Sequence, residues 1–214
     1  MAEGMLIYDA QGNPIMPRGT KAGHAHVLKH LPDFATLAAA GKVWSFLDTT
    51  TNVALVARPT TLASLTVQNP KNSDTVKVVM GILAYADVVP ATLGMVSVWH
   101  CVGKLAPVSE FTRDLVLQGT GAGSATPFLG GKSYDGDLIV DRGATVVDDG
   151  WTPVGEPVES NIATTNFVSR EIQLRVPVVL LPGGHYSLQT LATVVTFETA
   201  LGLIFAEVSR DELR

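Results

Sequence analysis

The sequence predicts an all-β fold: a jelly-roll-type β-sandwich preceded by an N-terminal arm that contains a short helix. Three observations carry this. After Gly41 the chain is dominated by Val, Thr, Leu and aromatic residues, cut by Asn-Pro, Gly and Pro punctuation. Short apolar or alternating runs then recur to the end with turn signals between them, and their number suits a jelly roll. Only PDFATLAAAG at 32–41 reads as helix, with Pro at the first helical position, alanine filling and Gly41 at the C-terminal cap.

Residues 1–41 form the expected arm, in which a short apolar patch and PRGTKAGHAHVLKHL precede the helix. Residues 42–214 form the expected sandwich. Its strands are read at 43–48, 52–57, 64–69, 75–87, 94–103, 113–118, 137–141, 170–180, 185–190 and 201–209. REIQLRV alternates, so Ile172, Leu174 and Val176 are expected on one face, with Gln173 and Arg175 on the other. VVMGILAY is apolar throughout and reads as a strand covered on both sides. Between about 119 and 166 the text turns rich in Gly, Pro, Ser and Asp, and a long loop insertion is expected there. In LPGGHYSLQT, Pro182 sets the entry to a turn and Gly183 and Gly184 take positive φ cheaply, which predicts a tight hairpin between two strands.

Composition narrows function. Hydrophobic residues make up 46% of the chain and charged residues only 16%, below the usual quarter, so apolar surface should be buried against copies of the chain or a partner. The net charge of −5, without a basic stripe, argues against nucleic acid as the main partner. The apolar runs are too short for a membrane-spanning helix, and the N-terminal text lacks the pattern of a signal peptide. The single cysteine, Cys101, excludes an intrachain disulfide and reads as a buried thiol in MVSVWHCVG.

Catalytic motifs are approached but not completed. PFLGGKS at 127–133 has Thr126 where a phosphate loop needs glycine, and turn and strand follow instead of a helix. GAGSA at 121–125 has no glycine after Ala125, so it is not a nucleophile elbow. HAHVLKH offers His24 and His26 as metal candidates, but Val27 stands where a zincin carries glutamate, and a solvated arm is the simpler reading. The Asp-rich turns at 135–137 and 148–150 lack calcium-loop spacing. Trp44 and Trp99 read as core. Phe128, Tyr134 and Trp151 lie in expected loops and form the candidate contact surface.

The stretches ARPTTLASLTVQNPKNSDTVKVVMGILAY and ADVVPATLGMVSVWHCVG, the ending from LPGGHYSLQT to GLIFAEV, and the leading HAHVLKHLPDFATLAAAGKVWS resemble tailed-bacteriophage virion structural proteins with a jelly-roll domain, of the head-fibre and capsid-decoration kind. The resemblance covers about three quarters of the chain and leaves 119–166 unmatched. It implies a non-enzymatic virion protein without catalytic residues or cofactor, assembled in the host bacterial cytoplasm. It also implies a homo-oligomer, a trimer, docked on the major capsid protein or another virion protein. Two rivals remain. One is a receptor- or glycan-binding tail or fibre tip using the loop aromatics. The other is a cupin-like metal enzyme, for which His100 and His185 are the strand-borne candidates.

Overall fold

In the computed structural model, the described residues are 7–8, 14–15, 34–48, 51–89, 92, 94–103, 114–115, 125–130, 134–142, 150–160, 169–193 and 196–213. The chain divides into two compact units, Met1–Asp33 and Phe34–Arg214. The first contains a short antiparallel pair, β1 (Ile7–Tyr8) and β2 (Pro14–Ile15), with Ile7 opposite Ile15.

The second unit is an all-β sandwich of two antiparallel sheets. Its main strands are β3 (Val43–Leu47), β5 (Leu65–Gln68), β6 (Thr75–Val88), β7 (Gly94–Val102), β11 (Thr152–Ser160), β12 (Ser169–Leu180), β13 (His185–Ala192) and β14 (Glu198–Ser209). One sheet runs β12-β6-β14-β3 and the other β11-β7-β13-β5. The first main strand therefore pairs with the last, the second with the seventh, the third with the sixth and the fourth with the fifth. A four-step antiparallel ribbon wound in this way is a jelly roll, and winding it hides most strand edges inside a closed core.

Where a long loop is expected at 119–166, the described residues include strands. There β9 (Ala125–Pro127) extends the first sheet beside β3, and β10 (Ile139–Asp141) extends the second beside β5; β8 (Asp114–Leu115), which precedes that stretch in sequence, lies beyond β10. β4 (Asn52–Val53) pairs with the start of β14, and β11 is a main edge strand. Two prolines and a glycine made it read as loop; Gly155, at φ 71°, and Pro157 sit in a bulge between Val154 and Val158, and Pro153 is tolerated because β11 is an edge strand. A second bulge, between Gln173 and Val178 of β12, holds Pro177. It breaks the expected alternation: Ile172 is buried, but Val176 is 79% exposed and no longer shares its face.

The helix expected at 32–41 is α1 (Phe34–Ala39), closed by Gly41 at φ 68°. It belongs to the sandwich unit rather than to an arm ending at 41. Leu37 packs on the outer face of the first sheet with Val43, Val76, Val78, Ala206 and Val208, a burial worth about 2 kcal/mol.

The turn at 181–184 is tight but is not a hairpin. β12 and β13 lie in different sheets and do not pair. Gly184 N–H donates to the Leu181 carbonyl at 2.7 Å across Pro182 and Gly183, and Gly183 has φ 87°, the pattern of a type II turn. The turn is clipped to the Asn69-Pro70 bend. Gly183 N–H donates to the Asn69 carbonyl (2.8 Å), Asn69 N–H to the Gly184 carbonyl (2.9 Å), and Asn69 Nδ2 to the carbonyls of Leu180 and Thr75 (2.9 Å each).

Two tests follow from this packing. Replacing Gly183 and Gly184 together by valine should lower the stability of the sandwich by about 2–5 kcal/mol in urea unfolding, and an unchanged midpoint would contradict the turn assignment. Removal of residues 1–33 should leave a cooperative thermal transition intact, whereas removal of 1–41 should lower its midpoint by uncovering the Leu37 cluster; equal midpoints would show that α1 contributes nothing.

Candidate functional site

The three aromatic residues expected at a contact surface separate. Trp151 is buried, packs with Ala63, Cys101 and Trp99, and donates its Nε1–H to the Thr60 carbonyl at 2.7 Å. Tyr134 is buried too, edge-on to Trp44 (4.9 Å between ring centres) and Phe205 (6.0 Å). Both depart from the expected exposure: Tyr134 lies shortly before β10 and Trp151 leads directly into β11, and each side chain packs into the sandwich unit. Phe128 alone stays exposed. Trp44 is core as expected, while Trp99 is half-buried on the outer face of the second sheet, its Nε1–H on Ser97 Oγ at 3.0 Å. Cys101 is buried as read.

His24 and His26 lie outside the described residues. His100 and His185 stand on adjacent strands but face opposite ways. His100 is level with Leu188 and shares its face, whereas His185 precedes Tyr186 and points to the other side. They cannot hold one ion between them. Among the described residues no group of three His, Cys, Asp or Glu side chains converges. His100 Nδ1 is 2.8 Å from Tyr186 Oη, and the rings meet edge-on. Burial holds the His100 pKa below its ordinary value, and burial holds the Tyr186 hydroxyl protonated.

Two concave surfaces formed by described residues bear on function. One is a groove of about 370 Å³ on the outer face of the first sheet, lined by Met80, Gly81, Phe128, Leu174 and Ile204, with Glu171 and Gln173 at its polar side. It continues a largely apolar face that also carries Leu83, Tyr85 and Val179. The second is a cleft of about 470 Å³ where the two bulges meet, lined by His100, Val154, Gly155, Glu156, Leu174, Arg175 and Val176. Arg170 Nη1 closes one side on the Glu156 carbonyl at 2.7 Å.

The outer face of the second sheet is polar yet covered. Ser64, Thr66, Gln68, His185, Ser187 and Gln189 are all buried. Four of them pair sideways: Thr66 Oγ1 meets Ser187 Oγ at 2.9 Å, and Ser64 Oγ bonds Gln189 Oε1.

Sequence reading missed one further cluster. Lys77 is fully buried, with its Nζ on Asp137 Oδ1, 2.8 Å from Glu207 Oε1 and 2.7 Å from Thr75 Oγ1. Tyr134 Oη donates to Glu207 Oε1 at 2.5 Å and accepts from Leu138 N–H at 3.1 Å. Partial burial pushes the Asp137 carboxyl up, but bonds from Lys77 and Ser73 more than reverse this and leave it below its ordinary value. Burial first, then the Glu207 carboxylate, holds the Tyr134 hydroxyl protonated. A second ion pair, Arg142 to Asp48 through Nε–Oδ2 (2.6 Å) and Nη2–Oδ1, anchors the far end of β10. No local motif announces either pair; register alone brings Lys77 opposite Glu207.

No family model, curated protein or solved structure matches the chain.

The His100 environment sets a pH dependence. The unfolded chain takes up a proton near pH ~6.5 while the folded imidazole resists it, so the contribution of His100 is fully present above that value and is lost as pH falls toward the folded pKa. The thermal midpoint should therefore drop between pH ~7.5 and ~5.5, and His100→Gln should flatten that limb. An equal drop in the variant would assign the effect elsewhere.

Proposed function

We propose that the chain is a non-enzymatic structural component of a tailed-phage virion, a capsid decoration or head-fibre protein that self-associates as a trimer and docks on the particle. The observation that carries this reading is the apolar outer face of the β12-β6-β14-β3 sheet. A solitary sandwich clothes its outer faces with polar side chains, one apolar and one polar residue in turn along each strand. Here Met80 and Leu83 are only partly covered, Tyr85 and Val179 are exposed, and Phe128 stands exposed beside them, while α1 covers the end of the face that carries Val78. A contiguous apolar surface of this kind suits contact with another protein subunit.

The jelly roll itself supports the reading because the fold recurs in viral shells, although lectins and cupins share it, so fold alone does not decide. The edges support association by faces rather than by strand addition. β11 and β12 carry prolines and bulges that interrupt any ladder a third strand would need. The glycan-tip alternative loses two of its three aromatic residues to the interior. The cupin-like alternative loses its strand-borne pair because His100 and His185 face apart.

Light scattering on the purified protein should give the mass of a trimer. Tyr85→Lys combined with Phe128→Lys should reduce it to a monomer with an unchanged far-UV spectrum. A wild-type monomer would contradict self-association, and a double variant that stays trimeric would move the interface off this face.

A further inference from the structure

The Lys77 cluster has more parts than an ion pair requires. One carboxylate would neutralise the ammonium, yet two carboxyl groups touch it. Glu207 faces Lys77 directly across the β6–β14 ladder. Asp137 arrives from the segment that crosses from β9 in one sheet to β10 in the other. Gly136 presses that segment onto Glu207 so closely that a Cβ would overlap both the Glu207 carboxylate and Tyr134 Oη. Tyr134 fixes the Glu207 carboxylate by its hydroxyl, and the rings of Trp44 and Phe205 fix Tyr134. The result is an amine and a carboxyl group in contact, with a second carboxyl group held on the same nitrogen, in a pocket that excludes water from the lysine. The buried Lys77 ammonium has lost its hydration, which offsets much of what its ion pairs contribute.

We infer that Lys77 and Asp137 condense into an intramolecular isopeptide bond, with Glu207 as the proton carrier. The atoms balance without any further reactant. A proton passes from the Lys77 ammonium to the Asp137 carboxylate, leaving a neutral amine and a carboxylic acid. The Nζ lone pair attacks Cγ of Asp137. Glu207, 2.8 Å from Nζ, takes a second proton from the nitrogen and returns it to the departing hydroxyl. One C–N bond forms, one C–O bond breaks, one water leaves, and nothing is oxidised or reduced. The Ser73 hydroxyl, bonded to the Asp137 carboxyl, stabilises the oxygen that becomes negative in the tetrahedral intermediate. Fixed contact between amine and acid supplies the high effective concentration that condensation in water lacks. The Asp137 side chain is 43% exposed, so the water has a way out.

The bond would join β6 to the sheet-crossing segment covalently, and it stands on this cluster whichever assembly the chain enters. The test is the mass of the denatured wild-type chain and of its peptides. The expected result is a chain lighter than its sequence by one water, with the loss located in a branched peptide that joins Lys77 to Asp137. Lys77→Met and Asp137→Ala should restore the full mass. Glu207→Gln, which keeps an acceptor for Tyr134 but cannot carry the proton, should fold and also show the full mass. A wild-type chain at its full sequence mass would overturn the proposal and leave a salt bridge. A Glu207→Gln variant that condenses as completely as wild type would overturn the role of Glu207.

Discussion

The sandwich depends on β14 lying between β6 and β3. The last strand of the chain must return to the centre of the sheet that the first strand began, and every other pairing is nested within that closure. The approach is so close at Gly202 that a Cβ would collide with the Phe46 carbonyl and the Leu47 backbone. No other residue type fits there without moving β3. Phe205, Leu203 and Leu201 then line the interior against Trp44, Phe46 and Ile82, while Ala206, Ile204 and Val208 line the outside. Because β14 is buried on both faces, its text GLIFAEV is apolar almost without interruption. Thr190 and Thr199 add a hydrogen bond of 2.8 Å between β13 and β14, joining the two sheets near the turn that links them.

Closure leaves two kinds of surface. The edges at β11 and β12 are broken by bulges and prolines, which opposes edge-to-edge pairing. The outer faces differ. The second sheet turns polar side chains outward and pairs four of them laterally, while the first turns outward a run of apolar ones. The proposed assembly uses that difference: specificity comes from which face is apolar, and repetition by symmetry multiplies weak contacts. The Lys77–Asp137 and Arg142–Asp48 pairs, one on each side of β10, tie the segment between the sheets to the strands on which that face is built.

Much of the fold was legible because its signals are local. The helix at 34–39, its Gly41 cap and most of the main strands follow from propensity, alternation and turn residues. β11 was not legible. TPVGEPVES contains the residues that mark loops, and only its place at a sheet edge lets them sit in a bulge. The 181–184 turn was legible as a turn, but which sheet each flanking strand joins is a long-range property that no short stretch encodes. The same holds for Trp151 and Tyr134, whose burial depends on neighbours far away in sequence. Lys77 is the extreme case. In TVKVVM it reads as an ordinary solvent-facing lysine, and its carboxylate partners lie 60 residues away at Asp137 and in the final strand at Glu207.

The central claim is that the apolar face of the β12-β6-β14-β3 sheet is the surface through which copies of the chain meet. Hydrogen exchange at concentrations above and below dissociation of the oligomer tests it most directly. The account predicts that protection gained on association falls on Met80–Tyr85 of β6, on Glu171–Gln173 of β12 and around Phe128, with none at the bulge of β11. Protection gained instead at β11, or at no backbone segment of this face, would contradict it.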